Sequence, residues 1–216
     1  MPDRERIAAF IGSLDPGLPG WLADVEAEAL RDGVPVIRKE TQQLLRFLVS
    51  LHRPERILEV GCGTGFSALL MWDAGDRLPK IDTIENYEPR IRKAKENLEH
   101  YSDGSVRLLE GDAHELLPGL KEPYDMIFMD AAKGQYPAFL PEVLRLLVPG
   151  GLLVTDNVLR EGDILESRFA VRRRDRTIHK RMRGYLYELM HAPGLVSTIL
   201  PGGDGAALSV KKKENS

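Results

Sequence analysis

Two short polar clusters in the second half of the chain contain the residue types of a metal-dependent active site. The first holds Asp130 and Lys133, with Tyr136 three positions further on, and the second is the pair Asp156 and Asn157. Each cluster follows a run that reads as a buried strand, and neighbouring strand ends in a doubly wound sheet converge on one crevice. Carboxylate and amide oxygens suit Mg²⁺, and neither cluster contains the His or Cys typical of zinc sites. We therefore expect a magnesium site.

A single aspartate is weaker evidence than the two clusters together. An isolated Asp often caps a helix or forms a turn. We interpret Asp125, which stands alone in an apolar run, as such a structural residue. Asp130 and Asp156 instead occur together with a lysine and an asparagine, in a chain that also has a glycine-rich turn earlier in the sequence. This combination favours a metal-binding site.

The glycine-rich turn at 61–65 predicts a ligand lying against the backbone. Arg56–Val60 reads as a buried strand, Gly61, Gly63 and Gly65 follow at alternate positions, and 66–72 reads as a helix. Glycine permits positive φ and close approach of a ligand near the helix N-terminus. The alternative is an ordinary strand–helix turn. The G-x-G-x-G spacing differs from the G-x-G-x-x-G of dinucleotide binders, which disfavours a dehydrogenase.

An acidic residue ends the next predicted strand, at 81–85. Glu85 lies 20 positions after Gly65. At about this separation, an acid in nucleotide-binding sheets accepts hydrogen bonds from ribose hydroxyls. The turn and the acid together therefore predict a cofactor that resembles a nucleotide.

Strands and helices alternate along the chain, which predicts an α/β fold with a doubly wound sheet. The predicted strands are 56–60, 81–85, 106–110, 124–130 and 152–155, with 196–200 and 206–212 as a closing antiparallel β-hairpin. The predicted helices are 2–30 with a break at 15–20, then 38–51, 66–72, 89–100, 113–117 and 136–147. Residues 149–151 are predicted to form a turn. We expect one domain over 1–216, with a helical extension at 1–33 and a basic segment at 168–187.

The composition limits the class of protein. A chain of 216 residues suits one domain, and 43% hydrophobic with 29% charged residues is typical of a globular protein. Cys62 is the only cysteine, so no internal disulfide can form. The sequence has no apolar run of about 18 residues and no signal-peptide pattern. We expect a cytoplasmic protein that does not associate with membranes.

The turn, Glu85 and the two polar clusters together resemble the cation-dependent, catechol-type O-methyltransferases, a family of Rossmann-like class I methyltransferases. The resemblance runs from about residue 34 to 212. It implies S-adenosylmethionine as cofactor and Mg²⁺ or Mn²⁺ as metal. It also implies a homodimer formed through the N-terminal helices.

The resemblance also assigns roles to residues. The implied metal ligands are Asp130, Asp156 and Asn157, and Lys133 is either the base or only a stabiliser of the substrate oxyanion. The implied cofactor-binding residues are Ile37, Glu59, Gly61, Gly63, Ser67, Glu85, Asp112, Ala113 and Asp130. Asp112 is also placed to cap the helix predicted at 113–117, and the two roles are compatible.

A basic segment follows the second polar cluster. Residues 168–183 contain eight Lys or Arg and one acid, Asp175, although the whole chain carries a net charge of −3. The run 174–183 and the turn 201–205 resemble the bacterial tRNA 5-hydroxyuridine methyltransferases, a branch of the same family. This implies methylation of wobble 5-hydroxyuridine in tRNA to 5-methoxyuridine. Candidate tRNA contacts are Arg172, Arg173, Arg174, Arg176, Lys180 and Arg181, with Tyr185 or Tyr187 stacking on a base.

Other functions use the same motifs differently. A small catechol or phenol would make the basic segment an ordinary solvated helix face. A cofactor-binding module without catalysis is disfavoured because both polar clusters are intact. At 201–205 the chain departs from the tRNA branch, in which we expect a larger residue at one of the two adjacent glycines.

Overall fold

The computed structural model describes residues 4–167 and 169–213. Its helices are α1 (Arg4–Ser13), α2 (Gly20–Arg31), α3 (Lys39–His52), α4 (Phe66–Ala74), α5 (Glu88–Tyr101), α6 (Ala113–Leu116), α7 (Tyr136–Leu146) and α8 (Arg176–His191). Its strands are β1 (Arg56–Val60), β2 (Lys80–Glu85), β3 (Val106–Glu110), β4 (Tyr124–Met129), β5 (Leu147–Thr155), β6 (Leu195–Leu200) and β7 (Ala206–Lys211). Short 3₁₀ turns lie at Leu117–Gly119, Lys133–Gln135, Arg160–Leu165 and Arg173–Asp175.

The strands form one seven-stranded sheet in the order β3-β2-β1-β4-β5-β7-β6. The first five strands are parallel, and β7 runs antiparallel to both β5 and β6. The strand order reverses between β1 and β4, which is the switch point where doubly wound sheets bind ligands. The predicted fold class is therefore confirmed, including the closing hairpin and the N-terminal helices.

Helices cover both faces of this sheet, as its central strands require. The strands at the centre are mostly apolar and almost entirely buried, which suits a parallel sheet covered on both sides. One core cluster joins the sheet to α7 and α8, and the other joins it to α2, α3 and α4. Within the described residues, none of the helices has both the length and the apolar character needed to cross a membrane.

The fifth strand differs from the prediction. The predicted turn at 149–151 lies inside β5, which begins at Leu147 and pairs with β4 on both sides of a register shift. Gly150 has a φ of 85°, a backbone conformation that glycine adopts at little cost. The turn prediction was wrong because an irregular stretch within a strand can use the same glycines as a loop between elements.

Candidate active site

A cavity of about 620 Å³ opens at the carboxyl ends of the parallel strands. Its wall includes residues at or just after the end of each of the first five strands: Gly61, Glu85, Gly111, Asp130 and Asn157. Of the other predicted cofactor and catalytic residues, Ile37, Gly63, Ser67, Asp112, Ala113 and Lys133 also line it. The sheet therefore gathers residues from distant parts of the sequence around one space.

The glycine turn has two distinct structural roles. Gly61, Gly63 and Gly65 have φ values of 105°, 56° and 87°. A Cβ atom at Gly61 would lie 2.2 Å from the carbonyl oxygen of Asp130, whereas a Cβ at Gly63 would meet nothing within 4 Å. Gly61 is thus required where the loops after β1 and β4 touch, and Gly63 leaves its side of the turn open towards the cavity.

Glu59 lies behind the cavity wall. Its fully buried carboxylate accepts hydrogen bonds from the hydroxyls of Ser67 and Thr83. Burial raises the pKa of Glu59 to about 8, despite these hydrogen bonds. Because Ser67 itself lines the cavity, Glu59 holds a wall residue in place from behind.

Glu85 is held by backbone groups at the end of β2. Its Oε1 accepts from the amides of Asn86 and Tyr87, both at 3.0 Å, and its Oε2 accepts from the amide of Gly63 at 2.9 Å. A carboxylate oxygen has two lone-pair sites. Oε2 therefore keeps one acceptor site, which is what the predicted ribose contact requires.

Asp112 caps α6 as the sequence predicts. Its Oδ1 accepts from the amide of His114 at 2.8 Å. The ring of His114 packs against the ring of Phe139, with 4.7 Å between the ring centroids, and His114 Nε2 lies 3.1 Å from Gln135 Oε1. These three wall residues were missed because no sequence pattern joins the loop after β3 to the segment after β4.

The four polar residues of the two sequence clusters lie close together: Asp130, Lys133 and Asn157 line the cavity, and the buried Asp156 contacts Asn157 from outside this lining. Asn157 Nδ2 donates to Asp130 Oδ1 at 3.1 Å and to Asp156 Oδ2 at 3.0 Å. Lys133 Nζ lies 3.7 Å from Asp130 Oδ1. Asn157 has a φ of 58°, a left-handed conformation that Asn tolerates better than most residues. The backbone thus turns sharply to direct this amide between the two carboxylates.

This donor set fits a hard divalent cation. Asp156 is 2% exposed, and burial followed by the nearby charge of Asp130 raises its pKa to about 6. The described residues contain no group of three or more His, Cys, Asp or Glu that could hold a metal, so a site here needs the amide oxygen of Asn157. A half-turn of that amide exchanges its NH₂ and oxygen. Water and substrate oxygens complete the shell of such ions.

Two other residues have structural roles. Asp125 Oδ2 accepts from the amides of Glu55 and Arg56 at 3.0 and 2.9 Å, which confirms our interpretation of Asp125. Tyr136 was grouped with the first polar cluster, but it is fully buried and its hydroxyl contacts the carbonyl oxygens of Met129 and Asp156. Tyr136 therefore ties the ends of β4 and β5 together from within the core.

The structure corrects one of the two predicted base-stacking residues, Tyr185, whereas stacking by Tyr187 stays a prediction. Tyr185 is fully buried, and its hydroxyl lies 2.6 Å from Thr155 Oγ1. It belongs to the core because the inner face of α8 packs on the sheet. Tyr187 is exposed, but its ring stacks on His191 one turn later, with 3.9 Å between ring centroids.

The basic segment lies in the 3₁₀ turn before α8 and along that helix. Arg181 Nη1 donates to the carbonyl of Gly134 at 3.0 Å, and Arg176 donates to the carbonyls of Phe169 and Val171, both at 3.3 Å. The remaining candidate tRNA contacts are exposed: Arg172, Arg173, Arg174 and Lys180. Arg168 lies outside the described residues. Two of the six candidates thus fasten loops, and four face the solvent.

The fold and the site define a class: a Rossmann-like enzyme whose cofactor pocket adjoins a carboxylate cluster. A family model described as O-methyltransferase matches residues 24–212. The chain therefore belongs to this O-methyltransferase family and is an S-adenosylmethionine-dependent O-methyltransferase.

Individual relatives agree with this family. A catechol O-methyltransferase of Mycobacterium tuberculosis is 29% identical over 223 residues, covering 97% of each chain. A catechol O-methyltransferase of Niastella koreensis is 35% identical over 142 residues, which span 62% of this chain and 64% of that relative. The SAH-bound methyltransferase PaMTH1 of Podospora anserina has a TM-score of 0.87 at 26% identity, covering 99% of this chain and 98% of that one.

Proposed function

We propose that the protein is a Mg²⁺- or Mn²⁺-dependent O-methyltransferase that acts on a hydroxyl beside a second oxygen. The observation that carries this proposal is the Asn157 amide, which bridges the carboxylates of Asp130 and Asp156 at the edge of the cavity. Two carboxylates and an amide form a hard-oxygen ligand set. A cation held by these three residues would need further oxygen ligands, which two neighbouring substrate oxygens could supply.

The chemistry divides between the bound groups and the chain. The cofactor supplies an electrophilic methyl group, and the cation favours ionisation and orientation of the attacking hydroxyl. The protein brings the Asn157 amide within hydrogen-bonding distance of both carboxylates and places the Lys133 ammonium beside Asp130. At that position Lys133 stabilises the substrate oxyanion or, when neutral, accepts the hydroxyl proton.

For the substrate, we propose 5-hydroxyuridine at the wobble position of tRNA, converted to 5-methoxyuridine. The base presents its 5-hydroxyl beside the 4-carbonyl oxygen, which gives the required oxygen pair. Support comes from the basic segment: α8 contacts the turn that contains Lys133, through Arg181 and the carbonyl of Gly134, and exposed cations lie at the start of α8. Such cations suit the phosphates of a tRNA.

The second candidate substrate is a small catechol or phenol. This alternative is favoured by the curated relatives, because those from Mycobacterium tuberculosis and Niastella koreensis are both catechol O-methyltransferases. A catechol presents the same pair of neighbouring oxygens and needs no basic surface.

Two measurements together test the metal and the substrate. Purified protein is assayed with S-adenosylmethionine on catechol and on tRNA containing 5-hydroxyuridine, with excess EDTA and then with Mg²⁺ or Mn²⁺ added back. Nucleosides from the tRNA of a deletion strain are analysed by mass spectrometry. We expect metal-dependent methylation of tRNA and loss of 5-methoxyuridine from the strain. Full activity in EDTA would refute the metal, and turnover of catechol alone would refute the tRNA substrate.

The basic segment provides a sharper substrate test. We expect replacement of Arg172, Arg173 and Lys180 by Ala to weaken tRNA binding and to lower the salt slope by about 0.7–0.9 for each phosphate that is no longer bound. Arg176 and Arg181 are left intact because they fasten loops. The matched control replaces three exposed cations on other elements, Lys80, Arg92 and Lys121. Filter binding at two salt concentrations compares the variants, and equal slopes in both would contradict tRNA recognition by this segment.

We also propose a cytoplasmic homodimer. The N-terminal helices present large exposed apolar side chains: Phe10, Ile11 and Leu14 near α1, and Phe47 and Leu51 on α3. Such a patch is typical of an interface. Light scattering should give a dimer for the parent and a monomer for Phe47→Asp; a monomeric parent would refute the proposal.

A further inference from the structure

We infer that Thr41 is a positioning residue for Asp156. Thr41 lies in the first turn of α3, is 4% exposed, and donates from Oγ1 to Asp156 Oδ1 at 3.0 Å. The two residues are 115 positions apart in sequence, so the contact depends on how α3 packs beside the end of β5. This inference rests on the proposed metal site and adds a residue that orients one of its ligands, Asp156, through a hydrogen bond.

Because Thr41 donates to one carboxylate oxygen of Asp156, the two oxygens have different partners. Oδ1 accepts from Thr41, and Oδ2 accepts from the Asn157 amide that also contacts Asp130. With a donor on each side, rotation of the carboxylate breaks at least one hydrogen bond. Thr41 therefore keeps Oδ2 directed at Asn157.

The position of Thr41 is itself fixed by neighbours other than Asp156. Gln42 Nε2 donates to the Ile37 carbonyl at 2.9 Å and to Glu26 Oε1 at 2.7 Å. Lys39 Nζ contacts Glu26 Oε2 at 2.6 Å. These contacts fasten the start of α3 to α2 and to the segment before α3. The donor is thus held in place before any ligand arrives.

The contact with Asp156 replaces a common local contact of helical threonines. A Thr hydroxyl in a helix commonly donates to the carbonyl four residues earlier, which here is Ile37. In this chain Gln42 donates to that carbonyl, and Thr41 donates across the structure to Asp156. The Thr41 hydroxyl therefore orients Asp156 and does not cap a backbone carbonyl of its own helix.

The test compares Thr41→Val, which keeps the shape and removes the hydroxyl, with Thr41→Ser, which keeps the hydroxyl. Groups that orient a metal ligand typically change metal affinity by about 10- to 100-fold. We expect Thr41→Val to weaken Mn²⁺ binding by about that factor and Thr41→Ser to stay within about threefold of the parent. Mn²⁺ binding is read from the free-ion electron paramagnetic resonance signal, with S-adenosylhomocysteine present. Affinity for S-adenosylhomocysteine, measured by calorimetry, should not change.

Thr155→Val is the matched control. Thr155 is also buried, precedes Asp156 directly, and uses its hydroxyl with Tyr185 rather than with a carboxylate. Its loss should lower stability and leave Mn²⁺ affinity within about twofold of the parent. Equal losses of Mn²⁺ affinity in the two Val variants, or none in Thr41→Val, would overturn the inference. If the parent binds Mn²⁺ no better than Asp156→Ala does, the proposed metal site fails and the inference fails with it.

Discussion

The two ends of the sheet hold buried aspartates in opposite ways. Near the amino ends of the strands, Asp82 accepts from Arg107 Nε and Tyr124 Oη, both at 2.7 Å, and Arg56 Nη2 lies 3.5 Å away. At the carboxyl ends, Asp156 receives hydrogen bonds from the neutral groups of Thr41 and Asn157. Two guanidinium groups balance the charge of Asp82, whereas Asp130 adds to the negative charge near Asp156.

This difference separates a structural carboxylate from a binding one. The partners of Asp82 come from β1, β3 and β4, so its ion pairs and hydrogen bonds link four adjacent strands. The pair Asp130 and Asp156 carries more negative charge than the single ammonium of Lys133, 3.7 Å from Asp130 Oδ1, can balance. An external cation can balance the excess negative charge of Asp130 and Asp156, whereas Asp82 is already balanced by arginines. Three substitutions test this difference, beginning with the largest expected effect.

Asp156→Asn should abolish turnover without loss of stability. Removing a charged ligand of the proposed metal should lower kcat/KM by more than about a hundredfold, since even residues that orient ligands contribute about 10- to 100-fold. At pH 8 the unfolding free energy should stay equal or rise. The raised pKa of Asp156, about 6, means that its carboxylate costs stability once the pH rises through that value. Kinetics and urea unfolding test this, and an active variant would break the comparison.

Asp82→Asn should show the reverse. The change removes charge-assisted hydrogen bonds to Arg107 and an ion pair with Arg56, so the unfolding free energy should fall by about 1.5–3 kcal/mol. The specific activity of the folded enzyme should match the parent, because Asp82 lies at the far end of the strands. Urea unfolding and initial rates are measured on one preparation. A loss of activity greater than the loss of folded protein would contradict the structural role.

Glu59→Gln should flatten the dependence of stability on pH. The folded pKa of Glu59 is about 8, against an ordinary value of 4.5. The stability that its proton provides is therefore fully present below pH 4.5 and is lost as the pH rises through about 8. The parent should lose up to about 1.4 kcal/mol per pH unit relative to the variant across this window. Urea unfolding at about pH 5.5, 7 and 8.5 measures it, and parallel curves would show that Glu59 does not titrate there.

The fold and the carboxylate cluster could be predicted because both follow from the positions of the strands in the sequence and from the residues at their carboxyl ends. In a parallel sheet, side chains that follow adjacent strands meet whatever the intervening helices do. This places Asp130 beside Asn157 from chain order alone. The chemistry of each residue type then indicates the ligand.

Contacts set by helix packing could not be predicted in this way. The burial of Tyr185 depends on which face of α8 packs on the sheet. The contact between Thr41 and Asp156 depends on where α3 crosses the strand ends. The residues around Thr41 give no reason to pair its hydroxyl with a residue 115 positions away.

The left-handed backbone of Asn157 restricts which amino acids can replace it during evolution. A φ of 58° is readily adopted by Gly, Asn and Asp and costs most other residues about 1–2 kcal/mol. A metal ligand here must also carry a side-chain oxygen, which excludes Gly. Backbone geometry and the need for a side-chain oxygen together leave only Asn and Asp as suitable residues at position 157. Homologues with the same turn but Gly at this position should keep the fold and lack one ligand of the proposed cation site.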